Sequence, residues 1–444
     1  ASGPAASGCG FARRIGDASR QEIASTAVDH AGNLYLAGSF RGRIDVDDVH
    51  LDAGGGSGPA TYLLELDPTG HAVYGRVLGA PPSMGIALAT DAQDDLVVAL
   101  TAQQPVDFGS GPVAPLGDFD VLVAKLDPAG HVKWSRRAAA PGAQVSDLEQ
   151  VSVDVDASGS VAVLAQAALP FPHVVLHVLS ADGADGWSRE APILGGFPFM
   201  QFAPKFDRHG ELTIALTLAR TFETVSVDLG GGALTGIAPA NVVVAHFDAS
   251  GQHVWSRLLD PAQTSENHAW NVSLVPDDDG GVFVGTTAWR PLDLGLGTLS
   301  PSADGSVLLA HLDGHGATAW ARSIGEGATL GGMARGADGT LELSGYFTST
   351  VDVGSVHLAN AGDGGDAFVA TIASADGSGV SARAFPGESD LTALDVGAQL
   401  ETFRLDRAPN GDALLSGDFV GTLHVCDALV SAGDSDLVVA RLSP

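Results

Sequence analysis

Asp120-Val121-Leu122-Val123-Ala124-Lys125-Leu126-Asp127, then Pro128-Ala129-Gly130, then His131-Val132-Lys133-Trp134-Ser135-Arg136 is the stretch from which the fold is read. An apolar run of strand length, a Pro/Gly turn and a second run with an aromatic spell an antiparallel hairpin. The first half recurs as Asn241–Asp248 and Ser306–Asp313, and in part at Asp366–Thr371 and Asp436–Arg441. The second half recurs as an aromatic-x-Arg signature: Phe11-Ala12-Arg13, Tyr74-Gly75-Arg76, Trp134-Ser135-Arg136, Trp187-Ser188-Arg189, Trp255-Ser256-Arg257 and Trp320-Ala321-Arg322. A seventh copy, Ser381-Ala382-Arg383, lacks the aromatic.

Upstream of the hairpin, Ile86–Asp91 and Leu96–Ala102 read as two more short strands, and Val106-Asp107-Phe108-Gly109 opens a Gly/Pro-rich connection. That connection recurs as Val227-Asp228-Leu229-Gly230, Leu292-Asp293-Leu294-Gly295 and Val351-Asp352-Val353-Gly354. No segment keeps a helical period. Four strands per unit of about 60 residues, in seven units, predict an all-β fold, a seven-bladed β-propeller of four-stranded antiparallel blades. Stacked blades bury both sheet faces, which explains middle strands that are apolar throughout and not alternating. The whole chain, 1–444, is expected to be a single propeller domain. Its blades span about 21–79, 80–139, 140–192, 193–260, 261–326, 327–387 and 388–444. The last unit ends on a third strand, so residues about 9–16, around Phe11 and Arg13, are expected to supply its fourth strand and close the ring.

The composition narrows the function. The chain carries 53 acidic and 22 basic residues, 42 of the acids being Asp and only three of the bases Lys (Lys125, Lys133 and Lys205), for a net charge of −31. Such a chain repels nucleic acid and anionic membrane, and neither is expected as a partner. Asp is also a turn former, and Asp29, Asp67, Asp91, Asp127, Asp156, Asp207, Asp248, Asp313 and Asp338 open expected hairpins. No apolar run reaches the roughly 18–20 residues of a transmembrane helix. The first residue is Ala1, and secretion through a removed signal peptide is the expectation.

Cys9 lies on the expected closing strand and Cys426 in the second-to-third-strand connection of the same blade. A disulfide between them is expected and would imply an oxidising compartment.

The Val-Asp-x-Gly connection, the Asp-x-Phe-Val-Ala third strand, the Leu-Asp-x-x-Gly turn and the Trp-Ser-Arg fourth strand together resemble the secreted bacterial β-propeller repeats called SBBP repeats. The resemblance covers nearly the whole chain. It implies an extracellular or cell-surface protein of a high-GC Gram-negative bacterium, and it brings no assigned activity and no catalytic residues.

The recurrent arginines Arg13, Arg76, Arg136, Arg189, Arg257, Arg322 and Arg383 are expected to act as a structural blade latch, each pairing an aspartate such as Asp107, Asp228, Asp293 or Asp352. The central channel, lined by first strands, offers Asp154, Lys205, His268, Trp270, Arg335 and Arg404. The densest acidic run, Asp277-Asp278-Asp279-Gly280-Gly281, is the one place where Ca²⁺ is conceivable, but it lacks the spacing of a calcium loop. No metal, cofactor or catalytic residue is assigned, since no nucleophile elbow, phosphate loop or dinucleotide fingerprint occurs.

The function expected is a non-enzymatic interaction or structural scaffold with a protein partner or self-assembly. A glycan-binding propeller is the first alternative. A propeller enzyme (lyase, hydrolase or quinone-dependent dehydrogenase) is the second.

Overall fold

The computed structural model describes residues 9–55, 58–79, 85–116, 120–138, 151–167, 172–237, 239–259, 269–336, 338–360, 365–386, 404–432 and 435–443. Every regular element among them is a β-strand, so no helix is present that could cross a membrane. Seven antiparallel sheets, each built on four strands, follow one another along the chain, and the fold is a seven-bladed β-propeller.

Two compact units partition the chain. Residues 83–323 form one, and residues 1–82 with 324–444 form the other. The second unit holds blade 1 (Ser25–Val28, Leu34–Phe40, Ala60–Leu66, Ala72–Gly79), blade 6 (Glu326–Arg335, Leu341–Val353, Asp366–Ile372, Gly379–Phe385) and blade 7. Blade 7 takes three strands from Arg404–Arg407, Ala413–Phe419 and Asp436–Leu442. Its fourth is Cys9–Ile15, paired antiparallel with Asp436–Leu442 so that Arg13 faces Val439. The expected closing strand is therefore in place. The first unit holds blades 2 to 5, whose third strands are Asp120–Leu126, His173–Leu179, Ala240–Phe247 and Ser306–Leu312.

The middle strands are buried on both faces, as in Leu96–Ala102 and Ala240–Phe247. Within each unit neighbouring sheets pack face to face, so an alternating polar face would place unsolvated groups between blades. One apolar cluster joins blades 3 and 4 through Leu164, Leu176, Leu216 and Phe247. Another joins blades 7 and 1 through Leu414, Leu437, Val439, Leu36 and Tyr62. Each such side chain contributes about 1.5–3 kcal/mol on burial.

The excess of aspartate has a local cause. In the third-to-fourth-strand hairpin of blade 2, Asp127 Oδ1 accepts the Ala129 and His131 N–H groups at 3.0 and 2.8 Å. Asp67, Asp248 and Asp313 repeat the arrangement. These backbone donors hold the Asp127 carboxyl below the ordinary range, with the His131 N–H the largest cause.

Candidate functional site

Four of the seven recurrent arginines reach the following blade, and the partner they share is a glycine carbonyl and not a connection aspartate. Arg13 of blade 7 donates to the Gly70 carbonyl of blade 1, and Arg257 of blade 4 donates to the Gly316 carbonyl of blade 5. Arg136 of blade 2 reaches Gly183 O of blade 3 at 2.5 Å, and Arg189 of blade 3 reaches Gly251 O of blade 4 at 3.1 Å. Gly70, Gly183, Gly251 and Gly316 end the third-to-fourth-strand hairpin at φ of +86°, +80°, +82° and +74°. The aromatic two residues before each arginine covers the same glycine: a Cβ there would strike Phe11, Trp134, Trp187 or Trp255. Each of these four signatures therefore clamps the hairpin of the following blade.

Aspartates join in at two of these four clamps. Asp47 takes both Arg13 nitrogens at 2.8 and 2.9 Å, and Asp185 takes Arg136 at 2.6 Å. The connection aspartates expected as partners shape their own turns. Asp228 Oδ1 accepts the Gly230 and Gly232 N–H groups, and Asp107 and Asp293 do the same at their glycines. Asp352 meets His357 at 2.6 Å. Arg322 donates to its neighbour Ala321 O, Arg383 lies over the Phe385 ring, and Arg76 sits on the fourth strand of blade 1 opposite Leu63.

The disulfide joins Cys9 to Cys426 with Cα atoms 5.7 Å apart. Cys426 has a φ of 62°, in the left-handed turn position that Asp47 and Gly354 occupy in blades 1 and 6.

Of the acidic run, Asp277 is bound to His311 Nε2 at 2.8 Å and its Oδ1 accepts the Asp278 N–H at 2.8 Å. Among the described residues no group of three or more His, Cys, Asp or Glu side chains is placed to hold a metal ion. His268 lies outside the described residues, as does the side chain of Trp270, whose backbone pairs with Thr287. Lys205 Nζ of blade 4 meets Asp154 Oδ1 of blade 3 at 2.9 Å. Arg335 ends the first strand of blade 6, opposite Leu341.

Arg404 is the channel candidate with the richest surroundings. It opens the first strand of blade 7, and Asp406 follows two residues on, on the same face. That face looks toward blade 1: the Thr26 hydroxyl donates to Asp406, and the Arg404 charge acts on the buried Tyr62 phenol. The next strand presents Leu414, Ser416 and Asp418 to the same side, with Ser416 directly opposite Arg404 and Leu414 opposite Asp406. Asp418 Oδ1 accepts the Ile23 N–H at 2.8 Å.

Blade 1 answers with the segment just before its first strand. Glu22 Oε2 accepts from Ser39 at 2.9 Å, Arg20 pairs with the same carboxylate, and the Tyr62 hydroxyl donates to the Glu22 carbonyl at 3.1 Å. This segment crosses so close to the second strand that a Cβ on Gly38 would collide with the Glu22 backbone, which is why a glycine stands there. Burial pushes the Tyr62 phenol well above its ordinary value; Asp418 and Glu22 push it further, and Arg404 opposes them.

The seam between blades 7 and 1 thus gathers Glu22, Asp406, Asp418, Arg20, Arg404 and the hydroxyls of Thr26, Ser39, Tyr62 and Ser416. Glu22, Thr26, Arg404 and Asp406 are only half-buried. Ser416 is 1% exposed, and its Oγ makes no hydrogen bond to any described residue. That hydroxyl keeps the capacity for a further hydrogen bond.

The sequence singled out Arg404 but not Asp406. The signal was available: Asp406 stands two residues before the first hairpin, in the register of Asp154.

No protein-family model and no curated relative matches the chain. Solved structures do resemble it. An ulvan lyase, described as a new family of polysaccharide lyase, aligns over 97% of this chain and 96% of its own, at 7% identity and a TM-score of 0.48. The α-L-arabinanase of Penicillium chrysogenum, complexed with arabinobiose, aligns over 97% and 98%, at 9% identity and a TM-score of 0.41. The NanB sialidase of Streptococcus pneumoniae aligns over 97% and 70%, at 10% identity and a TM-score of 0.41. At such identities the likeness speaks to fold alone. The expectation of a non-enzymatic scaffold is withdrawn, because a closed propeller is no ground for setting enzymes aside. That expectation rested on a closed propeller without a recognisable catalytic motif, and three enzymes stand among the structures this chain resembles.

Proposed function

We propose that this protein is a glycan-processing propeller enzyme, a hydrolase or lyase, whose site is the seam between blades 7 and 1. The observation that carries the reading is the convergence there of half-buried carboxylates, a guanidinium and the buried Ser416 hydroxyl with unused hydrogen-bonding capacity. Sugars are recognised by planar polar groups that both donate and accept, and glycoside cleavage uses carboxylates for proton transfer. In this reading Asp406 and Glu22 move protons, while Arg404 and Ser416 bind hydroxyl or ring oxygens. Thr26 holds Asp406 in place through its hydrogen bond. The disulfide supports a working place outside the reducing cytosol, in keeping with the secreted bacterial repeats that the sequence resembles.

The test is a panel of neutral, amino-bearing and acidic polysaccharides, followed by release of reducing ends for hydrolysis and of unsaturated ends for elimination. Turnover is expected on at least one substrate, falling about 100-fold or more in Asp406→Asn with the melting temperature unchanged. A panel without turnover, or turnover that survives in both Asp406→Asn and Glu22→Gln, would overturn the reading.

A further inference from the structure

Lysine is rare in this chain, three residues against 19 arginines, and two of the three meet in one cluster of blade 2. Lys125 stands on the third strand and Lys133 on the fourth, while Asp91 and Asp95 flank the first hairpin, between Ile86–Thr90 and Leu96–Ala102. The Lys125 side chain is 3% exposed and that of Asp91 fully buried, and Lys125 Nζ lies 2.6 Å from Asp91 Oδ2. Asp95 stands 3.7 Å from the same Nζ, and Lys133 Nζ donates to it. Gly159 of blade 3 covers the pair: a Cβ there would lie 3.1 Å from Lys125 Nζ and 3.5 Å from Asp91 Oδ2. The pair differs from its counterparts in two ways. Asp91 Oδ2 is buried and makes no hydrogen bond to any described residue, so the amine rests against it outside hydrogen-bond geometry, whereas Arg441 of blade 7 donates a regular hydrogen bond to Asp412. The same strand position also holds His246 in blade 4, His311 in blade 5 and Arg441 in blade 7. Of these four, only Lys125 carries a primary amine, the basic group that condenses with a carboxyl to a stable amide.

We infer that Lys125 and Asp91 condense to an intramolecular amide, a covalent cross-link within blade 2. Removal from water favours the uncharged amine and acid over the ion pair, and those are the reactive forms. Nζ attacks Asp91 Cγ, and one carboxyl oxygen leaves. Counted from the ion pair, one of the three ammonium protons stays on the amide nitrogen and two depart with that oxygen as water. Asp95 relays a proton from Nζ to the leaving oxygen, and Lys133 keeps Asp95 ionised for the task. No oxidant, reductant or cofactor enters the balance. The bond ties the first hairpin to the third strand, and it is independent of the glycan reading.

Intact-mass measurement of the full chain, purified folded and then denatured with its disulfide reduced, tests it. The expected mass is that of the sequence less one water, and digestion should yield one branched peptide joining the segments around Asp91 and Lys125. Lys125→Arg keeps a cation beside Asp91 and should return the full sequence mass. Asp95→Asn should leave the uncross-linked form as the main species in protein that still melts cooperatively. The full sequence mass in the parent protein overturns the inference and leaves Lys125 and Asp91 a plain buried ion pair. A water loss that persists in Lys125→Arg, or that maps to an Asp–Gly step such as Asp182-Gly183, where a cyclic imide forms, overturns it as well. Complete cross-linking in Asp95→Asn overturns the role given to Asp95.

Discussion

The seam from blade 4 to blade 5 and the seam from blade 6 to blade 7 carry the same arginine in different company. In the first, Trp255 lies on Gly316 and Arg257 donates to its carbonyl. In the second, Ser381 replaces the aromatic and is exposed, and Arg383 turns onto Phe385 of its own strand. The difference lies in the blade being clamped. Blade 5 joins its third and fourth strands through a hairpin that ends on Gly316. Blade 7 takes its fourth strand from Cys9–Ile15, so it has no such hairpin and no such glycine. The aromatic serves the neighbour's hairpin and is dispensable where the hairpin does not exist. In blade 7 the disulfide ties down the strand that the hairpin would otherwise tether.

The largest expected effect comes from removing that tie. Cys9 and Cys426 are 417 residues apart, and reduction, or Ser at both positions, should cost roughly 4–6 kcal/mol on the loop-entropy model. Melting with and without a reductant measures it. A shift within error would mean that the strand is held by pairing alone. Next comes the clamp itself: Trp255→Ala should cost about 3 kcal/mol, because the ring is 9% exposed and covers the Gly316 backbone.

A third expectation extends the comparison of like positions to a charge. The penultimate residue of the third strand is Lys125 in blade 2, bound to Asp91 at 2.6 Å, and Arg441 in blade 7, bound to Asp412 at 2.7 Å. In blade 1 it is Glu65, lying beside Asp29. Burial first, and then Asp29, raises the Glu65 carboxyl to about 7, against a small lowering by its hydrogen bond with Tyr35. Because the folded value is raised, the folded state retains a proton that the unfolded chain releases. The contribution to stability is full below about pH 4.5 and is lost as the pH rises through 7. Glu65→Gln should therefore be the more stable protein by about 2 kcal/mol at pH 8 and lose that advantage by pH 4. Denaturant titrations at the two pH values decide, and an advantage independent of pH would refute the assignment.

Smaller effects separate the glycine from its cover. Gly316→Ala meets both a left-handed φ and the Trp255 ring, while Gly297→Ala meets a positive φ with nothing within 4 Å. The first should cost about 1–2 kcal/mol more than the second. Smallest of all should be Ser381→Trp, within about 0.5 kcal/mol of the parent, because no hairpin awaits the new ring. A gain of more than about 1 kcal/mol there would show that another surface of blade 7 can be clamped.

Much of this was legible in the chain. Strand, turn and period are local properties, set by apolar runs, by Asp–Gly turn chemistry and by spacing. Seven copies of Trp-Ser-Arg or its variants therefore marked the blades, and a final third strand without a fourth pointed to Phe11 and Arg13 as the missing piece. Cys9 and Cys426 could be paired because the repeat register placed both in one blade. What the sequence left open is who touches whom across a seam. Arg257 reaching Gly316 O, Asp406 meeting Thr26 and Glu22 lying against Gly38 depend on the stagger and facing of neighbouring sheets, which no run of residues encodes by itself. The same holds for Ser416. Alone it is one serine in an apolar strand, and only the packing of blade 7 on blade 1 buries its hydroxyl opposite Arg404, away from any protein partner among the described residues. The fold follows from periodicity along the chain. The site follows from contacts between distant segments, which exist only once the blades have packed.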